Sequence, residues 1–124
     1  GQHPGTDSPG AANVAAMGEA NGFDGTSPFA PESYDAAALI MLAMQAAGSS
    51  SSADYKSKIM DVANAPGVKI FPGELAKGLK ILADGGEVDY VGGSAVELIG
   101  PGESAGAYRQ IEIKDGKITT VSYR

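Results

Sequence analysis

The sequence predicts a mixed α/β domain in which helices come first and short strands follow. Three observations carry this reading. Residues 34–48 read YDAAALIMLAMQAAG, with no charge from Ala36 to Ala47 and Gln45 as the only strongly polar side chain. Residues 55–63 and 75–82 repeat apolar positions at the three-and-four spacing of an amphipathic helix. From Glu87 onward the period changes to two, and Asp115-Gly116 supplies a two-residue hairpin signal.

In chain order, residues 1–10 (GQHPGTDSPG) read as coil, an unusual opening for a domain, and suggest a piece of a longer polypeptide. Residues 11–20 have helix-forming composition, weakened by Gly18 and stopped by Asn21-Gly22. Residues 22–31 (GFDGTSPFAP) form an irregular crossing segment in which Pro28 and Pro31 bracket Phe29. Residues that precede proline are driven toward extended conformations. Ser33 is the expected N-cap of the apolar helix, with Asp35 set against the positive end of its dipole. Apolar residues fall on every face of that helix, which predicts burial between other layers. A membrane span would need roughly 17 or more apolar residues, and the run stops short of that at Gly48.

After Gly48, residues 49–52 are a serine linker, and Ser51 with Asp54 resembles a capping pair in which Asp replaces the usual Glu. The next helix places Tyr55, Ile59, Val62 and Ala63 on one side and ends at Asn64-Ala65-Pro66-Gly67. Residues 68–71 read as a short apolar link. Pro72 suits the first turn of a further helix, whose buried stripe is Leu75, Leu79 and Leu82 and whose stop is Gly85-Gly86. EVDYV and AVELI are candidate strands on either side of Gly92-Gly93-Ser94, and AYRQIEIK and KITTVSY flank the hairpin turn. Arg109, Ile111 and Ile113 alternate with Tyr108, Gln110 and Glu112, so one face of the hairpin is apolar. The expectation is helices followed by short antiparallel strands and a C-terminal hairpin.

The totals bound the chemistry. The 124 residues make one domain at most, 43% hydrophobic, with a formal charge of −6. Residues 1–55 hold all their charge as acid (Asp7, Glu19, Asp24, Glu32, Asp35, Asp54) and have no Lys or Arg. Nothing here resembles the clustered basic surface that binds a phosphate backbone, so neither nucleic acid nor an anionic membrane is an expected partner. Without cysteine there is no thiolate metal site, thiol nucleophile or disulfide. His3 is the single histidine and lies in the N-terminal coil, so a histidine-based triad or metal site has no material. Gly100 to Gly106 (GPGESAG) has the wrong spacing for a dinucleotide fingerprint and reads as a turn. No cofactor and no enzymatic activity are expected. Phe29, held between two prolines, has two readings: an apolar wall for a ligand, or a plug for the end of the apolar helix.

Residues 27–48 (SPFAPESYDAAALIMLAMQAAG) resemble the late part of the type I periplasmic binding proteins, closest to the substrate-binding component of branched-chain amino acid ABC transporters. In that family a Tyr-Asp-Ala motif opens an Ala/Leu-rich helix that closes in Ala-Gly-Ser, here Tyr34-Asp35-Ala36 and Ala47-Gly48-Ser49. Residues 85–118 are similar to the family's closing pattern, although Glu97-Leu98-Ile99 and Pro101-Gly102-Glu103 stand where the family has Phe-Asp and an Asn-Gly turn.

The resemblance implies a fragment of a two-lobed, Rossmann-like fold: residues 1–107 as the final pass of the N-terminal lobe, and residues 108–124 as the last crossing strand and a hairpin that returns to the other lobe. It implies an extracytoplasmic, periplasmic protein that binds a branched-chain or other hydrophobic amino acid or a small amide and delivers it to an ABC permease. The alternative is a ligand-sensing domain of the same fold coupled to a regulator. By the same resemblance Phe29, five residues before Tyr34, contacts the ligand, with Ser27, Pro28 and Tyr34 beside it. With its partner lobe absent, the tail hairpin is expected to expose Ile111, Ile113, Ile118 and Val121 and to self-associate.

Overall fold

The computed structural model describes residues 8–64 and 66–124. His3, with the other residues from 1 to 7, lies outside the described residues. The elements run α1 (Ala11–Ala20), α2 (Ala30–Ala47), α3 (Ser52–Tyr55), a 3₁₀ turn (Lys56–Lys58), α4 (Ile59–Ala63), β1 (Val68–Ile70), α5 (Leu75–Ala83), β2 (Val88–Tyr90), β3 (Leu98–Gly100), β4 (Glu103–Ser104), β5 (Arg109–Lys114) and β6 (Lys117–Tyr123). Helix and strand are mixed, as the change of period at Glu87 predicts.

One strand arises where the apolar link was expected, and it changes the topology. Val68–Ile70 pairs with Val88–Tyr90 in parallel register, Val68 beside Val88 and Ile70 beside Tyr90, so the strands are not all antiparallel. β1, α5 and β2 thus form a βαβ unit, because a parallel pair needs a crossover and a helix is the usual one. Three residues are too few to show a period, so the strand is invisible without its partner. The expected second strand starts three residues later than AVELI suggests, at Leu98, and pairs with Glu103–Ser104. α5 begins at Leu75, because Pro72 and Gly73 make a turn that Glu74 closes by accepting the Phe71 amide at 3.0 Å. The helix expected over residues 52–63 is broken into α3, the 3₁₀ turn and α4.

The core gathers Leu39, Leu42 and Ala43 of α2 with Val62 of α4, Ile70, Val88, Tyr90 and Leu98. Asn64 ties the end of α4 to β3 by donating to the Leu98 carbonyl and accepting the Leu98 amide, both at 2.9 Å. Gly18, a weak point in α1 by propensity, has a packing role: an added Cβ there would lie 2.6 Å from the Gly25 nitrogen. The loop after α1 folds back over that glycine, and the Phe23 amide donates to the Gly18 carbonyl at 2.9 Å.

α2 departs from the sequence expectation at both ends of the argument. It starts at Ala30, with Phe29 as its N-cap and not Ser33. Pro31 is tolerated in the first turn because the amide it lacks would have no partner in the helix there. α2 is also not covered on all sides. Ala36, Ala37, Ile40 and Met41 are exposed, because α4 and α5 pack on the opposite face and nothing among the described residues lies over this stripe.

The hairpin turn is Asp115-Gly116 with φ of 53 and 74°, the two positive values of a type I′ turn. Arg109 pairs with Tyr123 and Ile113 with Ile118, with Val121 as the extra residue of a bulge. The bulge shifts the alternation, so that Tyr123 joins the apolar face and Ser122 stays on the polar one, donating to Gln110 at 3.0 Å. Ile111, Ile113, Ile118 and Val121 are all exposed, as expected for the tail hairpin.

Candidate functional site

In open α/β sheets, ligands bind in the crevice outside the carboxyl ends of parallel strands. Here those ends are Phe71 after β1 and Val91 after β2, and the first turns of α2 are held against both. Tyr34 accepts the Gly73 amide at its hydroxyl, 3.2 Å away, which fixes the loop after β1. Asn13 of α1 donates to the Pro72 carbonyl in the same loop at 3.1 Å. Asp35 fixes the loop after β2. It is 2% exposed, and its Oδ1 accepts the Tyr90 hydroxyl at 2.9 Å and the Gly93 amide at 2.8 Å. Its Oδ2 accepts the Ser94 amide at 2.8 Å and the Ser94 hydroxyl. Ser8 donates to the Gly93 carbonyl at 2.6 Å from the other side.

The dipole role expected for Asp35 is therefore replaced by a structural one. With α2 starting at Ala30, Asp35 lies beyond the first turn, where a helix dipole has little effect. A buried carboxylate without a cation is costly unless hydrogen bonds satisfy it, and here four donors do so. None of those donors is near Asp35 in sequence, so only the polar-aromatic spacing of Tyr34-Asp35 could have drawn attention to it.

Tyr90 shares this environment. It is 1% exposed, and burial, with the nearby Asp35 carboxylate adding to it, pushes the phenol far above its ordinary value near 10.0. The unfolded chain therefore loses this proton near pH 10 while the folded chain keeps it. Stability from this group is fully present below pH 10 and falls above it, by up to about 1.4 kcal/mol per pH unit. Urea midpoints for the wild type and Tyr90→Phe at pH 9 and pH 11 test this: the alkaline loss should shrink in the variant. An equal loss in both proteins would remove Tyr90 from the account.

The four residues named from the sequence sit at the entrance of α2. Asp24 opens this turn with Thr26 donating to its Oδ1 from hydroxyl and amide, which holds its carboxyl below the ordinary carboxylate value. The Ser27 carbonyl accepts the Ala30 amide at 3.1 Å, Ser27 is half-buried, and Pro28 is exposed. Phe29 has φ 68°, a left-handed conformation rare for a bulky residue, and is 57% exposed. It is not a plug for the helix end. Two residues on, Pro31 lies against Gly93. Tyr34 contributes its hydroxyl to the scaffold through Gly73. Glu32, in the first turn, has a buried Oε2 with no hydrogen-bond partner among the described residues.

A hollow of about 620 Å³ lies elsewhere, at the amino end of β2 between Ala46, Lys58, Asn64, Leu82 and Val88. The Asn64 amide that lines it is already engaged with Leu98 at both ends, and Lys58 pairs with Asp61 at 3.7 Å. Backbone strain and an unpartnered acceptor occur instead at the entrance of α2. Among the described residues, no three His, Cys, Asp or Glu side chains converge to hold a metal, and no helix is long and apolar enough to cross a membrane. No family model, curated protein or solved structure matches the chain.

Proposed function

We propose that the chain is the final part of a type I periplasmic binding protein, an extracytoplasmic solute-binding component that delivers a branched-chain or other hydrophobic amino acid, or a small amide, to an ABC permease. The observation that carries this reading is the entrance of α2, where an exposed aromatic is held at positive φ. A bulky side chain in that conformation costs about 1–2 kcal/mol, and such strain persists at sites that use it. Glu32 adds an acceptor without a donor in the same turn. An exposed apolar wall complements a ligand that has an aliphatic side chain. The Tyr34-Asp35-Ala36 motif supports the same assignment through the resemblance given above, since its two polar members anchor the loops at the carboxyl end of the sheet.

Calorimetric titration of the complete gene product with leucine, isoleucine, valine and small aliphatic amides tests the proposal. Heat of binding is expected for at least one of them, and Phe29→Ala should weaken it by about tenfold to a hundredfold, the loss of one buried aromatic contact. Phe29→Gly should weaken binding equally while raising unfolding stability by up to about 1 kcal/mol, because glycine relieves the strain. Absence of heat with every compound would overturn the amino-acid reading. A Phe29→Gly variant that is less stable than the wild type would remove the strain argument.

A further inference from the structure

We propose that Asn21 is a site of spontaneous modification, where the Gly22 backbone nitrogen displaces the Asn21 side-chain amine and leaves aspartate and isoaspartate at the end of α1. The inference does not depend on whether the chain binds a solute.

The chain has three asparagines, and the sequence already separates them. Asn21 precedes Gly22, whereas Asn13 precedes Val14 and Asn64 precedes Ala65. A side chain on the following residue crowds the backbone nitrogen that must attack, and glycine has none. The structure separates them further. Asn13 donates to the Pro72 carbonyl at 3.1 Å, and Asn64 is held by its two bonds to Leu98 at 2.9 Å. Both tie together segments distant in sequence, so freeing either one means parting packed elements. Asn21 and Gly22 are exposed, and a Cβ added at Gly22 would meet open space. Their bonds stay within α1. Asn21 donates its side-chain amide to the Met17 carbonyl at 2.8 Å, and the Gly22 amide donates to the Glu19 carbonyl at 3.2 Å. Fraying of the last helical turn releases both together, and helix ends open at little cost. It also frees the Asn21 ψ, 9° in the intact turn, to bring the Gly22 nitrogen onto the side-chain carbon.

The Gly22 nitrogen gives its proton to solvent and bonds to Asn21 Cγ. The Cγ–Nδ2 bond breaks, and Nδ2 takes a proton and leaves as ammonia. Water then opens the cyclic imide at either carbonyl, to aspartate at one and isoaspartate at the other. Neither product can donate to Met17. The new carboxylate faces the negative end of the α1 dipole, where the last turn has no basic residue. Isoaspartate also lengthens the backbone just before the loop that folds over Gly18, so conversion loosens that loop.

Peptide mapping of the intact protein, incubated at neutral and at mildly alkaline pH, tests this. Asn21 should lose its amide at least about tenfold faster than Asn13 or Asn64, because a fraying end opens more often than a packed contact. The rate should rise with pH, since the attacking nitrogen must lose its proton, and isoaspartate should accompany aspartate. The urea midpoint should fall as the wild type ages, while Asn21→Gln holds its midpoint, because its longer side chain closes the ring far more slowly. Asn21→Asp should start from a lowered midpoint. An Asn21 that keeps its amide while a urea-unfolded sample loses it, or an Asn13 or Asn64 that converts first, overturns the proposal. Aspartate without isoaspartate would overturn it too, since direct hydrolysis needs no attack by Gly22.

Discussion

Replacing Asp35 with alanine lowers the unfolding free energy by about 3–5 kcal/mol. Asp35 itself is buried, and the change leaves the Tyr90 hydroxyl, the Gly93 and Ser94 amides and the Ser94 hydroxyl without their acceptor. Each buried donor left unsatisfied costs about 1–3 kcal/mol, and some recover part of this by rotating or by admitting water. Domains of this size have only about 5–15 kcal/mol in total, so the variant should sit near the limit of folding. Urea denaturation at neutral pH measures it as a lowered midpoint with an unchanged slope. Asp35→Asn should be milder, about 1–3 kcal/mol, because the amide keeps one acceptor but presents a donor toward another donor. A loss below about 1 kcal/mol for Asp35→Ala would mean that the cluster is solvated and does not anchor the loop.

Changing Gly92 to alanine is expected to cost about 3 kcal/mol, from two sources that can be separated. The first is backbone strain, because Gly92 has φ +69°, where a side chain costs about 1–2 kcal/mol. The second is contact, because an added Cβ would lie 2.5 Å from the Asp35 Cγ and inside contact distance of both carboxylate oxygens. Asp35 cannot retreat without releasing its four donors. The double variant Gly92→Ala, Asp35→Ala should therefore be destabilised by at least about 1 kcal/mol less than the sum of the single changes. Strict additivity in that cycle would show that the two residues do not share a contact. The measurement uses the same urea titration, so all four proteins are compared on one scale.

These two residues illustrate what a single sequence leaves illegible. The β1 strand is illegible in the sequence because Val68, Lys69 and Ile70 have no period of their own, and a parallel strand is defined by a partner separated from it by a helix. The nearest neighbours of Asp35 point to a helix-dipole residue, while its donors lie 55 to 59 positions away. Glu32 carries no sequence signal, since a lone acid in a first helical turn is ordinary until its oxygen is seen to be buried and unpartnered among the described residues. Phe29 was legible as an unusual residue from the prolines around it. The choice between plug and exposed wall was not, because it depends on a backbone angle that proline spacing does not dictate.

What the sequence determined by itself is local in origin. The α2 run, the amphipathic stripes, the change to a two-residue period and the Asp115-Gly116 turn all express preferences within a few residues, and each appears in the structure within a few positions of its expected place. The tertiary structure decided the rest. It paired β1 with β2, left one face of α2 bare and bound Asp35 to a distant loop. Those outcomes depend on which surfaces meet, and the energy of burying an acid or exposing an alanine stripe is set by the neighbour, not by the residue. The apolar character of residues 34–48 thus predicted a helix that needs cover, while only the packing of α4 and α5 showed which side of it still lacks one.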